Sequence, residues 1–439
     1  MNDTNIPDRY ATSKSMLERA QSVIPLGSQT FSKAYTQYPR GAAPHFLERG
    51  DRGRVWDVDG NEYVDLICGL LPVVLGYCDP DVDAAITAQL EKGISFSLAT
   101  GLEIELAERL VDIIPSAEMV RFGKNGTDAT SAAVRLARAH TGRDRIAIGG
   151  YHGWQDWYIG ATVRNKGVPH SIGSLTHRFP FGDLDALKAL FKQHPGEFAG
   201  VILEPVVGGA DSGAYLAAAK SLVHQEGAVL IFDEVISGFR IAMGGGQSHF
   251  GVTPDLSAFG KAMANGMPLA AIVGREEIMR HMEEVFWSST FGGEALSLAA
   301  AIAVIDKMRR ENVIESLWRK GDTLGSGVET LIAHHNLGQA IGLAGLAPWK
   351  QLSFGDHPKA RKEAIKTFFI REMLNRDVLI MGSHNVCYAH NDADIQLVLA
   401  AYGGVFAALA EQLEQDGFEE RLGCPVIEPV FSVRSNPSR

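Results

Sequence analysis

The pattern of apolar and polar positions divides the chain into three stretches. Near the amino terminus, residues 13–24 carry apolar positions at helical spacing and stop at Pro25, which predicts a helix. The stretch RVWDVDGNEYVDL (54–66) predicts a hairpin with its turn at Asp59-Gly60. From about residue 80 to 290, helical patterns alternate with short apolar runs: MVRF (119–122), RIAI (145–148), GVIL (200–203), AVLIF (228–232) and LSAF (256–259). Runs without a polar face suit strands covered on both sides, so an α/β fold with a mainly parallel central sheet is expected. From about Ala295 onward helical patterns dominate, in LSLAAAIAVIDKMRR and RKEAIKTFFIREMLNR, with a few strands expected near 378–402. The expected organisation is an amino-terminal arm (1–54) packing with a smaller α+β domain (295–439), and a large α/β domain (55–294).

A chain of 439 residues exceeds what one small core needs, which agrees with two domains. With 46% hydrophobic and 21% charged residues it has the composition of an ordinary globular protein. The net charge of -11 offers no basic field, so neither nucleic acid nor an anionic membrane surface is an expected partner. The strongest apolar run, Leu66 to Gly76, is short and broken by Pro72, and the start MNDTNIPDRYATSKSMLERA has no apolar core behind a basic end. No membrane span or export signal is therefore expected. Cys68, Cys78, Cys387 and Cys424 lie far apart, with no zinc-like spacing, which suits a reduced, cytoplasmic setting and no metal.

Candidate chemistry sits at the ends of the apolar runs. Asp233 closes AVLIF, and ligands of parallel α/β sheets bind outside the carboxyl ends of strands. A carboxylate there can keep the pyridine nitrogen of pyridoxal phosphate protonated; alone, it equally suits an acid that caps a loop or the Walker-B acid of an ATPase. The chain has no GxxxxGK[ST] loop, since EMVRFGKNGT lacks the first glycine and follows its lysine with Asn125. No GxGxxG joins a strand to a helix either, so neither the ATPase nor the dinucleotide reading holds.

Lys261, in SAFGKAMANGMP, lies 28 residues after Asp233, just past another strand-like run. A lysine there can form a Schiff base with a cofactor aldehyde and, once displaced, move a proton between two carbons. Taken alone it reads as a solvated charge; an acid at one strand end and a lysine at the next favour chemistry. Asn125, Gly126 and Thr127 follow MVRF and open a helix, where backbone N–H groups favour phosphate, although Thr127 also suits a plain helix cap. Tyr151-His152 follows RIAIGG and offers a ring on which a planar cofactor could stack, core packing being the alternative.

Together these blocks resemble the class III pyridoxal-phosphate aminotransferases, most of all their glutamate-1-semialdehyde aminomutase branch. The likeness spans nearly the whole chain through VIPLG (23–27), VWDVDGNEYVDL (55–66), GISFSLATGLEIELAERL (93–110), NGTDATSAAVRLARAHTGRD (125–144), YHG (151–153), LIFDEVISGFR (230–240), GKAMANGMP (260–268) and STFGGEALSLAAA (289–301). It implies the type I aminotransferase fold, a homodimer with shared active sites, Lys261 as the Schiff-base lysine and Asp233 as partner of the pyridine nitrogen. It also implies a ring held between Tyr151 and Val235, Glu204 near the cofactor, and Thr290 reaching the phosphate of the neighbouring subunit.

The chain departs from this pattern where substrate would bind. Asn125 replaces the serine of the usual SGT phosphate loop, Lys33 stands where the aminomutase presents a carboxylate-binding arginine, and Leu70 replaces its tryptophan. Trp154, Trp157 and Tyr158 follow YHG, and Ser383, His384 and Asn385 fall in a late loop that the resemblance gives to the substrate site. The expected activity is transamination between a small amino donor and a carbonyl acceptor such as a keto-sugar or another polar ketone or aldehyde. Lys33, Trp154, Ser383, His384 and Asn385 are the expected substrate contacts. An intramolecular aminomutase or a racemase would use the same cofactor residues.

Overall fold

The five apolar runs form strands of one seven-stranded sheet in the computed structural model, which describes residues 8–206 and 212–428. Edge to edge the strands are Met119–Gly123, Ala270–Gly274, Leu256–Phe259, Val229–Asp233, Phe198–Leu203, Arg145–Gly149 and Thr176–Arg178. Ala270–Gly274 alone runs against the others, pairing antiparallel with both neighbours. Thr176–Arg178 and Ala270–Gly274 are absent from the expected strands; the first is only three residues long, and the second is an apolar run like the rest.

Alternation along each strand builds a core on both faces of the sheet. Ile146, Ile148, Ile202, Val229 and Ile231 point to one side, where they meet Ala129, Ala132, Ala133, Leu136 and Ala137 of the helix Gly126–Thr141. Ala147, Val201, Leu203, Leu230 and Phe232 point to the other, against Leu187 and Phe191 of one helix and Leu216, Ala219 and Val223 of the next. Alanines at the centre of Gly126–Thr141 let that helix lie close on the sheet, which sets where its first turn stands.

Among the described residues, one compact unit comprises the chain up to Leu70, then Leu75–Cys78, and everything from Ser316 on. The other comprises Leu71–Val74 and Asp79–Glu315. These limits differ from the expected boundaries at 55 and 295. The expected hairpin forms, Arg54–Asp57 against Glu62–Asp65 with Gly60 at φ +86°, but Glu62–Asp65 also pairs with Val378–Leu379 and so joins the carboxy-terminal unit. The helix Ala295–Glu311 packs on Pro80–Leu90 and stays with the large sheet's unit. The expected strands near 378–402 reduce to Val378–Leu379 and Ser383–His384, and a helix takes over at Asp392 because Asn391 and Asp394 form a capping box. That helix, Asp392–Glu414, is long and apolar enough to cross a membrane, yet Ile395, Val398, Tyr402, Val405, Phe406 and Leu409 are buried inside its own unit. The first seven residues of the expected arm, and the chain from 429 on, lie outside the described residues.

One ion pair fastens two helices beside the sheet. Asp79 caps Pro80–Leu90 by accepting the N–H groups of Asp81 and Val82, and its other oxygen lies 2.7 Å from the buried Lys307 Nζ on Ala295–Glu311. Losing one partner leaves the other charge buried and unpaired, which costs more than an exposed pair ever contributes. Lys307→Ala is expected to lower the free energy of unfolding by about 3 kcal/mol, measured by denaturant titration.

Candidate active site

Because six of the seven strands point the same way, their carboxyl ends bring loops from distant parts of the sequence to one edge of the sheet. After Met119–Gly123 the chain turns at once into Gly126–Thr141. Asp128 Oδ2 accepts the N–H groups of Lys124 (3.1 Å) and Asn125 (2.7 Å), which fastens the turn to the helix start. The N–H groups of the helix's first turn have no intrahelical partner and carry the positive end of its dipole, which suits a phosphate. A Cβ on Gly126 would lie 2.7 Å from Val235 Cγ1, and one on Gly260 would lie 3.6 Å from the same atom. The loops carrying Asn125–Thr127, Asp233–Val235 and Gly260–Lys261 therefore meet around Val235.

Asp233, nearly buried at the end of Val229–Asp233, places Oδ2 2.8 Å from His152 Nδ1 and accepts the Val235 N–H at Oδ1. A carboxylate can only accept, so His152 Nδ1 donates to it, leaving Nε2 as the ring's other polar atom. That Nε2 is buried without a hydrogen-bond partner among the described residues. Glu204, at the end of Phe198–Leu203, accepts the Tyr151 N–H at 2.9 Å. Gly153, at φ +105°, would put a Cβ 2.3 Å from Thr127 Oγ1, which makes the glycine of YHG a condition for bringing that loop onto the helix start. Lys261 holds a left-handed backbone, φ +43°, and opens the short turn Lys261–Ala264. Such a conformation costs a lysine roughly 1 kcal/mol and is met mostly where function holds it.

These features fit pyridoxal phosphate. The helix start with a side-chain-free Gly126 leaves room for a phosphate, the strand-end carboxylate Asp233 suits a pyridine nitrogen, and the amine of Lys261 stands on the adjoining strand end. The orphaned His152 Nε2 and the convergence on Val235 are the observations that support the fit.

The expected substrate contacts divide between the two units, and Trp154 lies beside the helix start, donating its backbone N–H to Thr127 Oγ1 at 3.3 Å. Trp154 is exposed, whereas Trp157 and Tyr158 are buried, donating to Ser131 Oγ and the Gly150 carbonyl. Lys33 is exposed in the other unit. There His384 is fully buried with Nε2 2.7 Å from the Tyr402 hydroxyl, and burial beside Lys350 pushes its pKa down to about 3. Asn385 donates to the Ile67 carbonyl, and Ser383 is half-buried. Thr290 is exposed, in the large sheet's unit. Sequence reasoning missed Asp128 and Glu234. The first was visible as an Asn-x-x-Asp capping box; the second is a fully buried carboxylate that accepts from Ser237 and from the N–H groups of Gly246 and Gln247, bracing the loop behind Asp233.

Comparison with known proteins gives the class: a pyridoxal-phosphate-dependent aminotransferase. The family model Aminotransferase class-III matches residues 37–389, and the chain belongs to that family. It is 36% identical to a 3-aminobutyryl-CoA aminotransferase of Cloacimonas acidaminovorans over 92% of this chain and 99% of that one. It is 34% identical to a glutamate-1-semialdehyde 2,1-aminomutase of Methanococcoides burtonii over 89% of this chain and 97% of that one. The solved structure of the FumI protein of Sphingopyxis sp. MTA144 superposes with a TM-score of 0.86 at 30% identity, covering 93% and 99% of the two chains.

The contact at Val235 can be tested directly. Gly126→Ala is expected to weaken binding of the phosphate-bearing cofactor by at least about tenfold, because a Cβ at 2.7 Å forces loop and helix apart. Titration of the cofactor-free variant, followed by absorbance, measures this.

Proposed function

We propose that the enzyme moves an amino group between two separate small molecules, with Lys261 bonded covalently to the cofactor and Asp233 facing its pyridine nitrogen. When bound, the cofactor supplies an electron sink for the carbon that loses its proton. The residues of the chain do the rest. Lys261 Nζ, once displaced by the incoming amine, takes and returns that proton. Asp233 keeps the ring nitrogen protonated, and His152 Nδ1–H holds the carboxylate in orientation. Asn125, Gly126 and Thr127 receive the phosphate, Tyr151 and Val235 bracket the ring, and Glu204 orders the Tyr151 loop.

The acceptor in this reading is a small polar ketone or aldehyde of the 3-oxoacyl kind. Lys33 carries it: a lone ammonium offers a point charge where the aminomutase resemblance has an arginine fork, so recognition of an amino-acid-like carboxylate is less directional. The full-length likeness to a 3-aminobutyryl-CoA aminotransferase supports the same class. With Trp157 and Tyr158 in the core, the aromatic wall that would suit a keto-sugar reduces to Trp154. Lys33, Ser383 and Trp154 are the most exposed of the proposed substrate contacts; His384 and Asn385 each bond within their own unit through one atom, while His384 Nδ1 and Asn385 Oδ1 have no hydrogen-bond partner among the described residues.

A homodimer belongs to this reading. A groove of about 840 Å³ runs beside the helix Gly101–Ile113 and past Trp287–Ser289. Exposed Ile104 and Val111 line it, and Phe96, Leu98, Phe286 and Phe291 are exposed in the chain segments that flank the lining residues, apolar groups that a partner would cover. A second copy covering this face would bury them and bring Thr290 into an interface. The reducing, cytoplasmic setting rests on four cysteines without a disulfide.

Borohydride reduction of the purified enzyme followed by peptide mapping is expected to find the cofactor on Lys261. Lys261→Ala should lose the violet absorbance and at least about 10³-fold of turnover; a label on another lysine overturns the assignment. Substrate class is read separately, from single-turnover rates of enzyme preloaded with an amino group. The panel is a 3-oxoacyl thioester, a keto-sugar, simple aldehydes and glutamate-1-semialdehyde, and the 3-oxoacyl thioester should react fastest. Fastest reaction with the semialdehyde, lost selectively in Lys33→Ala, identifies an aminomutase instead.

A further inference from the structure

Far from Lys261 in sequence, the arm-containing unit encloses a cluster that transamination does not use. The Cys68 and Cys387 sulfurs and a ring nitrogen of His390 all lie within 4.8 Å of one another, and all three residues are buried. Cys68 and Cys387 share a hydrogen bond, and Cys68 Sγ also lies 2.9 Å from the Asn385 carbonyl oxygen. His390 Nδ1 accepts the Cys387 N–H at 3.0 Å, while Nε2 faces the Gly53 carbonyl oxygen at 3.2 Å. A backbone N–H can only donate and a carbonyl only accept, so Nδ1 holds a lone pair and Nε2 the proton. Both nitrogens are thereby committed, which leaves the imidazole no lone pair for a metal. What remains is a pair of thiols in contact inside a polar pocket.

We propose that Cys68 and Cys387 form a reversible disulfide when the enzyme meets a small hydroperoxide. Sulfurs within 4.8 Å of one another need to close by at most about 2.8 Å to reach disulfide bonding distance. Cys387 is the attacking sulfur. Burial pushes its thiol up, while the hydrogen bond with Cys68 pulls it down, toward the thiolate that attacks. Its sulfur attacks one peroxide oxygen, the O–O bond breaks, and a sulfenic acid and one water result. The Cys68 sulfur then attacks the Cys387 sulfur, the S–O bond breaks, and the Cys68 thiol proton leaves with the hydroxide as a second water. Two electrons pass from sulfur to peroxide, and two thiols plus hydrogen peroxide become one disulfide plus two waters.

The backbone at Cys68 gives the bond something to hold. Cys68, Gly69, Leu70 and Leu71 all have positive φ, at 48°, 65°, 77° and 81°. Three non-glycine residues in that region store strain, and the chain crosses from one unit to the other between Leu70 and Leu71. A disulfide at Cys68 would pin the first residue of this run to the loop holding Cys387.

Wild-type holoenzyme exposed to a slight excess of hydrogen peroxide, digested without reductant and mapped by mass spectrometry, is expected to give a peptide joining Cys68 to Cys387. Thiol titration in denaturant should fall from four to two, and dithiothreitol should restore four. The same joined peptide is expected in Cys78→Ser, which removes the exposed competitor, with the titration there falling from three thiols to one. In Cys68→Ser, the Cys387 sulfenic acid has no partner and should be trapped by dimedone. Oxidation confined to Cys78 or Cys424, with no Cys68–Cys387 peptide, overturns the proposal. So does about one equivalent of tightly held metal that protects both thiols from peroxide.

Discussion

Parallel pairing imposes a constraint that the site depends on: strands that start at one edge of a sheet all finish at the other. In this chain that rule carries Lys124, Gly150, Glu204, Asp233 and Gly260 to the same edge, although 136 positions separate the first from the last. The contact between His152 and Asp233 follows directly, since their strands flank Phe198–Leu203 and end level with it. So does the meeting of Gly126, Val235 and Gly260, which needs close approach more than any particular functional group. Two glycines and a valine set that approach, and the charged groups then need only occupy it.

The sheet was legible because its strands are short, apolar on both faces and spaced by helical stretches, a pattern with few alternatives. Asp233 and Lys261 were legible for a related reason: polar groups directly after buried runs are conspicuous. Thr176–Arg178 was hidden by its brevity and its mixed composition, since two of its three residues are His177 and Arg178. Ala270–Gly274 has the right composition, but nothing local marks a strand that runs against its neighbours. The limits of the two units were illegible because they rest on Val378–Leu379 adding to a hairpin more than 300 residues earlier, and sequence spacing holds no trace of that pairing. The late polar loop is hard to read for a different reason: hydroxyl, imidazole and amide groups suit a ligand and a buried hydrogen bond equally, and His384 bonds the Tyr402 hydroxyl through Nε2 while its Nδ1 has no partner among the described residues.

A division of labour follows. The groups proposed to handle the cofactor are nearly all tied to strand ends and to one another, so their geometry varies little with the remainder of the chain. The most exposed of those proposed to meet substrate are a lysine on a surface turn, a half-buried serine in a two-residue edge strand and an exposed tryptophan, none of them part of the central seven-stranded sheet. Differences in acceptor within such a family can then arise by exchanging loop residues, while the strand ends stay as they are.

The strand that runs the wrong way also bears on how the protein is made. Met119–Gly123 reaches the sheet only through Ala270–Gly274, its single partner there. On a ribosome, that partner emerges about 150 residues later, and closing so long a loop places this pairing among the slow steps. At typical elongation rates the wait is on the order of ten seconds or more. Throughout it, the strand Met119–Gly123 has no strand partner, although the helix that follows it can pack on Phe198–Leu203 and Leu256–Phe259 as each emerges. A newly made chain therefore completes the sheet edge that leads into Asn125–Thr127, the proposed phosphate loop, after the other strands, and in the proposed reading cofactor capture belongs to the end of synthesis of the large-sheet unit rather than its beginning.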